Sequence, residues 1–210
     1  MAPFLMLTVA LNHIIAQPPK NNKTYTKEFQ LSLAKNFRMM ATYNKRMNEQ
    51  LLNVCKQLSH EQLHKETNSF FSTIMCYWNH IIFGDLIMLS RLVKNKFVHI
   101  DPNILQQLPT AKTANDTFVN NLKELIKLRE IVDDVYIDIT HQLTNDDYDL
   151  MVNYTTSEGV ALEKNVAEFL QHVFNHQTHH RGQLTCILSQ MGLDYGHTDL
   201  PILVPEGTRI

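Results

Sequence analysis

The chain of 210 residues carries 19 Lys and Arg against 21 Asp and Glu, a formal net charge of −2 with histidine neutral. Hydrophobic residues make up 44% and charged residues 19%, which suits a globular protein with a real core. The absence of a basic excess or a Lys/Arg run argues against direct binding to a nucleic-acid backbone. The compositional outlier is histidine, with 11 copies, four of them within residues 172–180.

Residues 4–11 are mostly apolar, and Gln17-Pro18-Pro19 follows them. A signal peptide has a basic leading region and small residues before the cut. Here no Lys or Arg precedes the apolar run, Asn12-His13 interrupts it, and Ile14 stands where a small residue is expected. The run is too short to span a membrane. Residues 1–26 therefore read as an N-terminal extension or linker, with a signal peptide or a misplaced start as alternatives, and residues 27–210 as the domain. Cys55, Cys76 and Cys186 form no C-x-x-C pair and read as reduced, mostly buried thiols of a cytoplasmic protein.

Within the domain, Phe29, Leu33, Phe37, Met40, Tyr43, Met47, Leu51 and Val54 recur at three- and four-residue steps, so a helix is expected over residues 27–58. Ser59-His60-Glu61-Gln62 has the form of a capping box opening a short helix. A second long helix is expected over residues 69–94, with Phe70, Ile74, Tyr77, Trp78, Ile81, Leu89 and Leu92 as its apolar stripe. Pro102 and Pro109 punctuate a long connection, and Asn115-Asp116 can cap a third helix over residues 117–143. Residues 149–159 are less regular and read as extended. A fourth helix over residues 162–191 should end at Gly192, and the tail reads as loop. Four long amphipathic helices with few strand signals define an all-α four-helix bundle, and the connections at residues 95–116 and 144–161 are long enough to cross it.

His176 and His180 are four residues apart, so they share a helix face and can grip one metal ion. Gln177 follows His176 where an H-E-x-x-H peptidase has its Glu base, so that base is missing. A bundle completes such a site from a facing helix, and His80 is the best third donor. His172 and His179 compete, although His179 lies about 100° round the helix from His180 and should face outward. Three imidazoles leave a coordination position open for water or a thiolate. A di-iron carboxylate site lacks its Glu-x-x-His motifs, and no Gly-rich phosphate loop occurs. Cys76 and Cys186 read as packing residues rather than nucleophiles.

The run Leu170-Gln171-His172-Val173-Phe174-Asn175-His176-Gln177-Thr178-His179-His180-Arg181-Gly182-Gln183 resembles the signature of DinB-like proteins, the damage-inducible family. Asn79-His80-Ile81-Ile82-Phe83-Gly84-Asp85 with Leu89-Ser90-Arg91-Leu92 is similar to that family's N-H-x-x-x-x-D and L-x-R-L pattern. Ala41-Thr42-Tyr43-Asn44, Asn48, Gly192-Leu193-Asp194 and Thr198-Asp199-Leu200-Pro201 agree as well. The resemblance implies a DinB/YfiT-like bundle and a divalent metal, nickel or zinc, on His80, His176 and His180. It also implies a tendency to homodimerise. Related branches are thiol S-transferases and a thiol-dependent isomerase that use low-molecular-weight thiols. The expected function is therefore a metal-dependent enzyme that activates a small thiol or water for a small-molecule substrate. The alternatives are a non-catalytic metal-binding stress protein and a metal-dependent hydrolase. Ligand type alone admits zinc, nickel, copper or iron.

Asn79, Asn175, Asp85 and Gln183 are the candidates for orienting the imidazoles. For Asp85, an ion pair with Arg181 or Arg91 is the favoured role. Arg46 stands where the family often has Trp and is expected to lie in solvent.

Overall fold

A computed structural model describes residues 32–156 and 159–210. Its helices in chain order are α1 (Leu33–Cys55), α2 (His60–Leu63), α3 (Ile74–Lys94), α4 (Pro102–Leu105), α5 (Leu122–Gln142), α6 (Val166–Gln190) and α7 (Leu200–Leu203). Strands β1 (Met151–Thr155) and β2 (Ala161–Asn165) lie between α5 and α6. The described residues belong to one unit, Leu31–Ile210. The extension expected at residues 1–26 lies outside them.

Each long helix starts at a side-chain cap that satisfies a backbone N–H left over by the first turn. Ser32, Thr73 and Asn121 accept from Lys35 N, Cys76 N and Glu124 N. Asn165 caps α6 as half of a capping box with Glu168, and Ser59 with Gln62 forms the box expected for α2. These caps explain why each long helix begins later than its apolar pattern does. The stripe assigned to α3 included Phe70, which precedes the helix and is 83% exposed. The third helix opens at Asn121, whereas Asp116 caps a turn by accepting from Lys112 N and Thr113 N. Gly192 follows α6 with a φ of +76°, the left-handed conformation that favours glycine at a helix end.

The long helices form an all-α four-helix bundle. α1 packs on α5 and α6, and α3 packs on α6 and α5, around a core that includes Leu51, Trp78, Ile81, Val132, Leu170 and Leu184. α1 and α3 are therefore diagonal, as are α5 and α6, and the links at residues 56–73 and 143–165 cross the bundle. The link at residues 95–121 joins neighbours. Asn79 latches this link to α3, donating to Val119 O and accepting from the N–H groups of Phe118 and Val119.

Inside the second crossing, β1 and β2 pair antiparallel from Met151↔Asn165 to Thr155↔Ala161. The extended reading of residues 149–159 captured β1. The second strand takes the first residues expected for helix four, and β2 runs directly into the α6 cap. Asn95 fastens the hairpin to the end of α3 through both backbone groups of Asn153.

Of the three cysteines, only Cys55 is buried, and burial raises its pKa to about 11. Cys76 and Cys186 are exposed, against the expectation that they pack in the core. Both sit on helix faces turned from the apolar stripe. No described helix is long and apolar enough to cross a membrane.

Candidate metal centre

His80 projects from the second turn of α3 towards the face of α6 that carries His176 and His180. One ring nitrogen from each lies within 4.8 Å of the others, and no Cys, Asp or Glu joins the group among the described residues. His80 Nε2 and His176 Nε2 are 3.1 Å apart. Two nitrogens each ~2.0–2.1 Å from one ion, at coordination angles near 90–110°, would stand roughly 2.9–3.4 Å apart. The separation suits a shared ion, and without one it is an imidazole–imidazole hydrogen bond.

The protonation states also suit a cation. Burial lowers the pKa of His176 to about 3, reinforced by the neighbouring His180 and His80. Burial lowers His180 to about 4, although its hydrogen bond to Gln183 opposes this. His80 is lowered by burial, with the Ala114 backbone opposing. All three are neutral near pH 7, the form that ligates. Gln183 Oε1 lies 2.8 Å from His180 Nδ1 and accepts a hydrogen bond from it, which leaves the Nε2 lone pair free. His80 Nδ1 is buried and makes no hydrogen bond of good geometry, the Ala114 backbone approaching without completing one.

Gly84, one turn beyond His80, makes room for the His176 ring. A Cβ on Gly84 would lie 2.4 Å from His176 Cε1 and 2.7 Å from its Nδ1, a clash relieved only if the imidazole moves. The sequence signal was a glycine inside a helix with no turn to make. Phe71, in the link before α3, roofs the site with its ring centroid 4.2 Å from that of His80 and 5.6 Å from that of His180. No periodicity pointed to it.

The other candidates fall elsewhere. His172 does not join the group, but its ring stacks near that of His176 at 6.1 Å. His179 is exposed, as expected. Of the four proposed orienting residues, Gln183 alone holds a ligand. Asn79 latches the α3–α5 link, and Asn175 pairs with Gln171. Asp85 is fully buried and pairs with Arg129, not with Arg181 or Arg91.

Behind the imidazoles a polar network fills the bundle core. Arg129 bridges Asp85 and Asp133, the latter at 3.0 Å. Gln177 donates to Asp85, and Asn48 donates to Asp133. Arg181 donates to Asn44, Asn48 and Gln177. Burial pushes both carboxyls up and Arg129 pulls them down. Burial lowers Arg181 to about 10, so it stays charged at neutral pH. Two guanidiniums and two carboxylates thus share the core, Arg129 in direct ion pairs and Arg181 through the amides. Gln177, committed to this network, points away from the imidazoles.

On the other side, a cleft of about 650 Å³ runs from His176 and Gly84 between α3, α6 and the hairpin. Its walls are largely apolar, and Arg91, Lys112 and Lys164 add positive charge.

A helix bundle with three converging, neutral histidines defines the class of protein, a candidate metalloprotein of the four-helix type. A model of the DinB family matches residues 25–206, and the chain belongs to that family. It is 29% identical over 157 residues to Protein DinB of Bacillus subtilis (strain 168), across 75% of this chain and 87% of that protein. The crystal structure of a DinB-like protein from Bacillus cereus ATCC 10987 is similar over 74% of this chain and 91% of that one, with a TM-score of 0.49 and 19% identity.

Proposed function

We propose that the protein is a metal-dependent enzyme that activates a small thiol, in the manner of a thiol S-transferase, with His80, His176 and His180 as the ligands. The observation that carries this reading is the convergence of three neutral imidazoles, one of which, His176, lines the head of a cleft, with no carboxylate in the group among the described residues. A divalent ion bound there lowers the pKa of a coordinated thiol or water enough to supply a nucleophile near neutral pH.

The chain's own part is to hold and shield that position. Gln183 fixes the His180 tautomer, Gly84 admits the His176 ring, and Phe71 limits access of bulk water from above. Gln177 is engaged in the core and offers no base, which favours a thiol nucleophile over metal-assisted hydrolysis. The cleft supplies room for a small-molecule substrate.

The test is in two stages. Metal content and nickel or zinc affinity are measured for the wild type and His176→Ala, and the variant is expected to lose binding. The loaded protein is then incubated with glutathione, bacillithiol or mycothiol and an electrophile such as a chlorodinitrobenzene. Metal-dependent consumption of the thiol supports the transferase. Tight metal binding without turnover of any thiol points instead to a non-catalytic metal-binding protein.

A further inference from the structure

The cleft beside His176 contains a half-buried guanidinium that no carboxylate among the described residues pairs with. Arg91 lies two helical turns from Gly84 along α3, about 10 Å. Its position is set from three sides. The guanidinium carbon stacks 4.4 Å from the Tyr154 ring centroid, Nη2 donates to Thr155 O, and Nη1 rests on the Met88 sulfur at 3.3 Å. Among the described residues no carboxylate lies within 4 Å of the side-chain nitrogens of Arg91 or Lys112, although Asp116 accepts from the Lys112 backbone N–H, whereas Lys164 is offset by Glu168 at 3.7 Å. Burial depresses the Arg91 pKa, as expected of an incompletely solvated cation. Between Arg91 and the imidazoles the walls are Phe83, Ile87, Phe169 and Val173, with His172 along one side.

We propose that this cleft binds an organic anion with an apolar body, its carboxylate received by Arg91 and Lys112 and its other end directed towards His176. The proposal rests on the metal-dependent reading for what happens at that other end, but not for the binding itself. A stacked, pre-oriented guanidinium matches a planar carboxylate and loses little freedom on pairing. The apolar walls exclude water and strengthen the pair. The span of about two helical turns selects a ligand that separates its charge from its reacting atom by a short chain or ring.

The probes are octanoate and octanol, titrated calorimetrically into the full chain with and without added nickel. Octanoate is expected to bind about tenfold more tightly than octanol, the size of a charge-assisted contact. Arg91→Gln and Lys112→Gln should each remove most of that preference and leave octanol unchanged. If Arg91→Gln loosens the hairpin, both probes weaken together. Lys112→Gln, whose side chain makes no hydrogen bond or ion pair with the hairpin among the described residues, then decides. Loss of octanoate preference in that variant supports the site, and an unchanged preference overturns it. Equal binding of acid and alcohol by the wild type also overturns it. The two readings fail separately. Arg91-dependent octanoate binding in a protein that takes up no metal removes only the metal chemistry. Tight metal binding with no preference for the acid removes only the anion site.

Discussion

Gly84 sets how closely α3 and the His176 imidazole approach each other, and it does so without touching the fold elsewhere. Gly84→Ala should leave the bundle folded, since alanine favours an interior helical position over glycine by about 1 kcal/mol. It should nevertheless weaken metal binding by at least the ~10–100-fold typical of disturbing a ligand's support, because the ring has to move. Calorimetric metal titration alongside a thermal melt separates the two effects, and a variant that binds metal as the wild type does would contradict the geometry. At this scale the three histidines were legible, because spacing on one helix and family motifs on another converge on them. Gly84 and Phe71 were not. A glycine's use depends on what faces it, and Phe71 reaches the site through the shape of a link whose path no residue pattern encodes. The partner of Arg46 was hidden for a similar reason. It lies partly in solvent, as expected, but is also held by Glu206 at 2.6 Å and by Leu203 O, so it ties the C-terminal tail to α1.

The helices themselves were largely written in the apolar periodicity, since α1, α3, α5 and α6 all lie within the expected stretches. Their starts were not, because Thr73 and Asn121 cap by local hydrogen bonding while the apolar pattern continues past them on the upstream side. Pairings between helices were also hidden. Asp85 finds Arg129 on α5, a residue that sequence reading placed in no role. The consequence is testable at the level of the element. Arg129→Met leaves Asp85 and Asp133 buried without their cation, a change that costs about 3–5 kcal/mol for a broken buried pair. Urea unfolding should show a lower midpoint with little change in slope. An unchanged midpoint would mean that the pair contributes nothing to holding α5 against α3.

For the molecule as a whole, folding, protonation and metal uptake are linked through the same imidazoles. In the metal-free protein the pKa values of His176 and His180 lie at about 3 and 4, below the value near 6.5 of an unfolded chain. Above pH 6.5 neither state takes up protons at these sites. As pH falls from about 6.5 towards 4, the unfolded chain binds protons that the folded one refuses, so stability drops. Melting of the chelated protein should therefore shift downward between pH 7 and pH 5, and His176→Ala should shift less. Added nickel or zinc should raise the melting temperature at pH 7, by the equivalent of ~2.7 kcal/mol at a hundred times the dissociation constant. That gain should shrink at pH 5 as protons compete for the ligands. A melting temperature insensitive to added metal at pH 7 would speak against the site.

Helix α6 carries two four-residue steps offset by a single position, His176 with His180 and Gln177 with Arg181. The offset is about 100° of rotation. One pair meets imidazole and cleft, the other meets the carboxylates and amides of the core. Turning α6 by one residue's angle would carry the guanidinium out of its amide cage and press an imidazole against Asp85. The helix therefore has one angular setting that satisfies both sides, as a key with teeth on two edges fits only one way. The buried charges act as a phase reference for the metal ligands, so the orientation of the imidazoles is decided when the core closes and not when an ion arrives.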